Sequence, residues 1–205
     1  MISGSVIIRN YSVVLDGKKI ISGEGNLDSF LLNVYERSSI DYPKFHRMDR
    51  LAKAGFLAAE LLTRAHALPP ASADTAVILS NNNSSLDTDR RYFESLQKVP
   101  SPALFVYTLP NIVVGEICIR HKINGENTFL LSENFDTKLI SEYVSMILEA
   151  GSSRACLAGW VDVLDEHHDV LLYLIEKEKA EAADVEAKHL EAIYKQDYGK
   201  THRES

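Results

Sequence analysis

SPALFVYTLPNIVVGEICIRHKINGENTFLLSENFDTKLISEYVSMILEAGSSRACLAGWVD, residues 101–162, is the stretch whose reading decides the fold. Leu104 opens a segment, 104–107, that reads as extended. Pro110 sits where the first turn of a helix tolerates it, and that helix runs to about His121. Asn124-Gly125 is a turn, and 128–131 is a short apolar strand. A helix follows over 135–150, with Gly151 in the usual closing position. Residues 155–161 are apolar and read as a buried strand.

Working outward, the chain before this stretch begins strand-like. Strands are expected at 6–8 and 12–15, with Asp16-Gly17 turning the chain into a returning strand at 18–21. A short helical piece is expected around 30–35. Met48, Leu51, Ala52, Phe56, Ala59 and Leu62 recur on one face of a helix over 47–67, ended by Pro69-Pro70. Residues 75–79 are a buried-type strand, followed by a polar loop and a short helix at 89–97. After the stretch, 170–175 is a further strand and 177–196 a helix rich in Ala, Glu and Lys. Residues 197–205 read as a frayed tail. Strands alternating with helices predict an α/β domain with a mixed, largely parallel sheet.

The 205 residues suffice for one domain with a full core. A net charge of −7 argues against general nucleic-acid binding, which needs a basic surface. No apolar run approaches the ~20 residues of a spanning helix, so no membrane partner is expected. MISGSVIIRN has no basic segment ahead of a long apolar core, so no signal peptide is expected. Cys118 and Cys156 lie in apolar segments and read as reduced core thiols of a cytoplasmic protein. The reading calls for no metal and no cofactor; in extended chain His167 and His168 splay apart.

Residues 42–180 resemble the N-terminal half of a β-ketoacyl-[acyl carrier protein] synthase of the thiolase superfamily. Arg47, Asp49 and Arg50 stand where that family carries an Arg-x-x-Asp-Arg sequence before its first long helix, one residue shorter here. Pro102, Asn111 and Gly125 match a Pro-containing loop, an Asn opening a helix and a Gly turn. In the family the cysteine nucleophile falls nine residues after that glycine, which here is Asn134. The glycine 17 residues further is Gly151, and Ala158-Gly159-Trp160 matches an Ala-Gly-Gly strand end. Glu126 and Trp160 depart from the pattern, where the family has Pro and Gly.

The resemblance implies a thiolase-like half with a mixed, mostly parallel five-stranded sheet flanked by helices. It places a synthase-like domain at 1–180 and a charged C-terminal helix with a flexible tail at 181–205. In the family a thiolate at a helix N-terminus takes the acyl group as a thioester, and two histidines of the second half assist. Asn134 has no thiol, and its expected role is an N-cap for the helix at 135. No counterpart to the second half is recognisable. The resemblance therefore implies a protein without independent activity, like a chain length factor. Its partners would be a full-length synthase or a second copy, and an acyl carrier protein, in fatty acid, polyketide or aryl-polyene type biosynthesis. Family members dimerise through the strand before the nucleophile helix, here Thr128, Phe129, Leu130 and Leu131. Tyr107, Leu109, Ile112, Val113 and Glu116 stand in or near the acyl tunnel. Two other readings remain open: an acyltransferase or hydrolase using Ser132, Glu133, His121 or the His167–His168 pair, and a homodimeric assembly protein with no acyl ligand.

Overall fold

A computed structural model describes residues 2–97 and 99–196. The strands are β1 (Gly4–Arg9), β2 (Ser12–Leu15), β3 (Lys18–Ser22), β4 (Thr75–Asn81), β5 (Asn127–Leu131), β6 (Ala155–Leu164) and β7 (His167–Glu176). The helices are α1 (Leu27–Arg37), α2 (Arg50–Ala65), α3 (Leu86–Ser95), α4 (Pro102–Val106), α5 (Ile112–His121), α6 (Thr137–Ala150) and α7 (Ala183–Lys195). The strands form one seven-stranded sheet in the order β3-β2-β1-β7-β6-β4-β5.

The α/β class holds, but the sheet corrects the expectation of five mostly parallel strands. Only β4–β5 and β4–β6 are parallel; β1–β2, β2–β3, β1–β7 and β6–β7 are antiparallel. The reason is local. Two tight hairpins build the β1–β3 meander, with Asn10-Tyr11 (φ 49° and 53°) and Asp16-Gly17 (φ 48° and 78°) in left-handed turn positions. A third turn at Asp165 (φ 54°) folds β7 back on β6. His167 to Asp169 therefore begin β7.

Each face of the sheet is closed by helices. α1, α2 and α5 bury Phe30, Phe56, Leu57 and Ile117 against Val6, Ile8, Val77 and Leu172. On the other face α6 and α7 bury Ile140, Val144 and Leu190 against Ile78, Ala158 and Tyr173. Leu190 is fully buried, so α7 is a layer of the domain and covers the face that α6 leaves open. Residues 197–205, expected as a tail, lie outside the described residues.

Local chemistry explains where other boundaries differ from the reading. Residues 104–107 lie in helix α4 and its cap, because Ser101 accepts a hydrogen bond from Leu104 N and Pro102 fits the first turn. Pro110 precedes α5 by two residues. Residues 177–179 form a 3-10 turn, and α7 starts six residues later than expected. α6 begins at Thr137, capped by Asp136, whose Oδ1 accepts from Leu139 N at 2.9 Å. Asn134 is therefore not the N-cap: the carboxylate two residues on takes that place. Gly151 closes α6 as expected, with φ 77°. Gly159 is obligatory for closeness: a Cβ there would lie 1.9 Å from Leu171 O, and its φ is +152°.

Candidate functional site

The three strands that run parallel, β4, β5 and β6, end together at one edge of the domain. Crevices beyond the C-terminal ends of such strands are the usual place for a site in an α/β sheet. Here a cavity of about 360 Å³ opens beside Asn83, Glu133, Asn134, Trp160, Asp162 and His167. Asp162 Oδ1 accepts from the backbone N–H groups of Asn82 (3.1 Å) and Asn83 (2.9 Å), and Oδ2 from Asn83 Nδ2 at 2.7 Å. The buried carboxylate thus fixes the loop after β4.

The last turn of α7 closes the cavity. Tyr194 donates its hydroxyl to Asp169, which also accepts from Arg9 Nε at 2.7 Å. Arg9 stacks 4.5 Å over the Tyr194 ring and donates to the Tyr194 carbonyl oxygen at 2.9 Å. Phe135 packs between Tyr194 (5.0 Å) and Trp160 (5.9 Å).

Asn134 is exposed in the bend between β5 and α6, and its carbonyl accepts from Ser132 Oγ at 2.9 Å. That bond is made to backbone, so it does not activate the hydroxyl as a nucleophile. Neither thiol is at this corner. Cys156 is the second residue of β6, opposite Ala76, six residues and about 20 Å along the strand from Asp162. Burial raises the Cys156 thiol far above its usual range and pushes Cys118 up to about 11. Both are protonated at neutral pH and unreactive.

The other candidate residues separate into two groups. Tyr107 and Glu116 are buried and meet: the phenol donates to Glu116 Oε1 at 2.9 Å, and Lys44 Nζ lies 2.8 Å from Oε2. Ile112 and Val113 pack into the core beside them. Leu109 is not with them. It is 58% exposed, on a surface with Phe105 (60%) and Val106 (51%) from α4. No side chain of α4 is buried. Thr128, Phe129, Leu130 and Leu131 lie in β5, one of the two edge strands, which pairs with β4. Phe129 and Leu130 face opposite layers of the core, and Leu131 is exposed.

His167 and His168 point to opposite faces, as adjacent strand residues must. His167 lines the cavity; His168 lies against Tyr11 and Phe30. Tyr11 N donates to His168 Nε2 at 3.0 Å, so Nδ1 carries the proton, directed to Glu166 O at 3.0 Å. The ring holds a tyrosine in a left-handed turn. Burial lowers its pKa and keeps it neutral. The Arg-Asp-Arg segment also proves architectural. Arg50 contacts Asp28 (2.6 Å) and donates to the Asp165 carbonyl oxygen (3.0 Å), joining α1, α2 and the β6–β7 turn. Asp49 caps α2 and accepts from Thr88. The sequence reading missed the exposed apolar face of α4. Its signal was Phe105-Val106 behind a Ser-Pro helix start, in a segment that read as extended.

No family model matches the chain, and no curated protein resembles it in sequence. Solved structures do resemble its fold. The ishigamide ketosynthase/chain length factor superposes with a TM-score of 0.66 at 16% identity over 88% of this chain. A ketosynthase in complex with its chain length factor from Xenorhabdus doucetiae gives 0.57 at 14% identity, covering 86% of this chain and 78% of that one. A type II polyketide synthase acyl carrier protein in complex with its ketosynthase gives 0.60 at 11% identity over 86% of this chain. This protein has the thiolase-like fold of ketosynthases and chain length factors. It spans 63% and 62% of the first and third of those chains. Among the described residues, no helix is long and apolar enough to cross a membrane.

Proposed function

We propose that this protein is a non-catalytic, chain-length-factor-like partner of an active β-ketoacyl synthase, working on acyl chains carried by an acyl carrier protein. The product class would be a fatty acid, polyketide or aryl polyene. The observation that carries the reading is the β5–α6 corner. In a fold shared with ketosynthases it holds Ser132-Glu133-Asn134 and no thiol, and a carboxylate occupies the helix cap. A thiolate-stabilising helix end is thereby filled by a side chain of its own.

The proposed docking edge is β5, which presents an unpaired row of backbone groups. Separately, α4, which packs on α3, and Leu109 supply exposed apolar surface of the kind a protein interface covers. Tyr107, Ile112 and Glu116 would shape the end of the acyl channel from behind that edge. Co-expression with an intact-cysteine synthase and size-exclusion chromatography tests this. A stable one-to-one complex is expected. Elution of this chain alone, with every synthase and carrier protein tried, refutes it.

The exposed position of Leu109 favours a second reading, a homodimer through the same edge with no acyl ligand. It predicts a dimer of this chain by itself and no acyl carrier protein binding.

A further inference from the structure

At the opposite end of the parallel strands, α2 and α5 enclose a cluster that the corner does not use. Glu60 of α2 is only 2% exposed. Arg120 of α5 grips it with Nε 2.5 Å from Oε1 and Nη2 3.3 Å from Oε2. Arg64 reaches the same Oε2 at 3.3 Å and donates to the Ser38 carbonyl oxygen. One buried carboxylate thus faces two guanidiniums, with the Asp41 carboxylate also within electrostatic reach of Arg120. His121 stands beside them. Its Nε2 is buried, has no hydrogen-bond partner and lies 3.6 Å from Glu60 Oε1, beyond bonding distance.

A tie between two helices needs one guanidinium for one carboxylate. The second, Arg64, is 44% exposed. It borders a cavity of about 510 Å³ that Arg120, His121, Leu68, Pro69 and the neutralised Glu60 also line. A neighbouring hollow of about 270 Å³ shares Leu68, Pro69 and His121 and adds Lys122. Cationic groups therefore stand on one wall and apolar groups on another. Guanidiniums present a planar fork that suits the oxygens of carboxylate and phosphate.

We propose that this cavity binds a small oxyanion on a short apolar body, with the anion held by Arg64 and Arg120 and the apolar part against Leu68 and Pro69. The shared chemistry admits a phosphate monoester or a carboxylic acid. The site lies on the helical layer across the sheet from α6 and α7, so it stands whether or not the chain pairs with a synthase.

Titration calorimetry of the whole protein with n-butyl phosphate and with butyrate, at constant ionic strength, tests it. Saturable binding by at least one is expected with Kd below about 1 mM, accompanied by a shift of the His121 ring protons in NMR. Arg64→Gln should weaken binding at least tenfold, as loss of a charged hydrogen bond does, while thermal unfolding stays within about 2 °C. Tighter butyl phosphate binding assigns a phosphate ligand; tighter butyrate binding assigns a carboxylate. No saturation by either at 10-fold that concentration overturns the proposal. So does unchanged affinity in Arg64→Gln, or an equal His121 shift with sodium chloride alone.

Discussion

Glu186→Gln should stabilise this protein in alkaline buffer and leave it nearly unchanged in acid. Glu186 is in the first turn of α7 and only 2% exposed. Its Oε1 takes a long hydrogen bond from the fully buried Tyr173 (3.4 Å), and Oε2 has no partner. Burial is the main cause that pushes its pKa up to about 7 from 4.5. Between those values the native state holds a proton that the unfolded chain has released, so stability falls as pH rises from 4.5 through 7. At about 1.4 kcal/mol per unit, the full loss is about 3 kcal/mol by pH 8. The N-terminal helix position favours the carboxylate and trims this by up to about 1 kcal/mol. An amide has the same shape and no charge, so it removes the slope. Urea unfolding of both proteins at pH 5, 6, 7 and 8 measures the difference directly. Asp49, raised to about 6, contributes the same slope to both and cancels. The expected difference is under about 1 kcal/mol at pH 5 and rises to about 2–3 kcal/mol in favour of the variant at pH 8. A difference that is flat from pH 5 to 8 refutes the reasoning, because it would mean that the buried carboxylate is not penalised.

Asn134→Cys should yield an ordinary thiol with a pKa near 8.5, since Asp136 already caps α6; iodoacetamide kinetics against pH measure it, and a value below 7 refutes the account of the corner. Gly159→Ala should cost about 3 kcal/mol or more through collision with Leu171 O, read as a fall of roughly 10 °C in Tm; an unchanged melting curve contradicts it. Phe105→Asp should change stability by less than about 0.5 kcal/mol, as for other surface substitutions, yet abolish co-elution with a synthase; retained co-elution removes α4 from the interface. His168→Phe should lose the Tyr11 tether at neutral pH, and its cost relative to wild type should shrink as pH falls below about 6.5, where protonation already strains that site in the wild type. A cost that grows on acidification refutes this.

The fold class was legible because each level of the sequence agreed. The 3.6-residue spacing of Leu51, Phe56 and Leu62, the Asp-Gly turn and the Gly151 stop all mark real elements. What was illegible was pairing. Nothing in a strand's own residues states that β1 lies beside β7, or that 167–169 continue a hairpin instead of turning. The charged ends of β7 mimic a loop because His168 and Asp169 spend their polarity inside, on Tyr11, Arg9 and Tyr194. Asn134 does lie in a bend before a helix, yet the capping residue was misjudged by two positions. Asn and Asp have similar cap preferences, and only the backbone decides between Asn134 and Asp136. Leu109 and Glu116, seven residues apart, looked like one wall, and the turn between α4 and α5 sends one out and the other in.

Arg9 and Asp169 are neighbours across the β1–β7 seam and lie 160 residues apart in the chain. At ribosomal speeds of about 5–20 residues per second, the meander waits roughly 8–30 s for its central neighbour to emerge. Throughout that interval β1 offers a sticky, unpartnered flank to other nascent chains. Production yield should therefore be governed by chaperone supply and translation tempo more than by the equilibrium strength of the finished sheet.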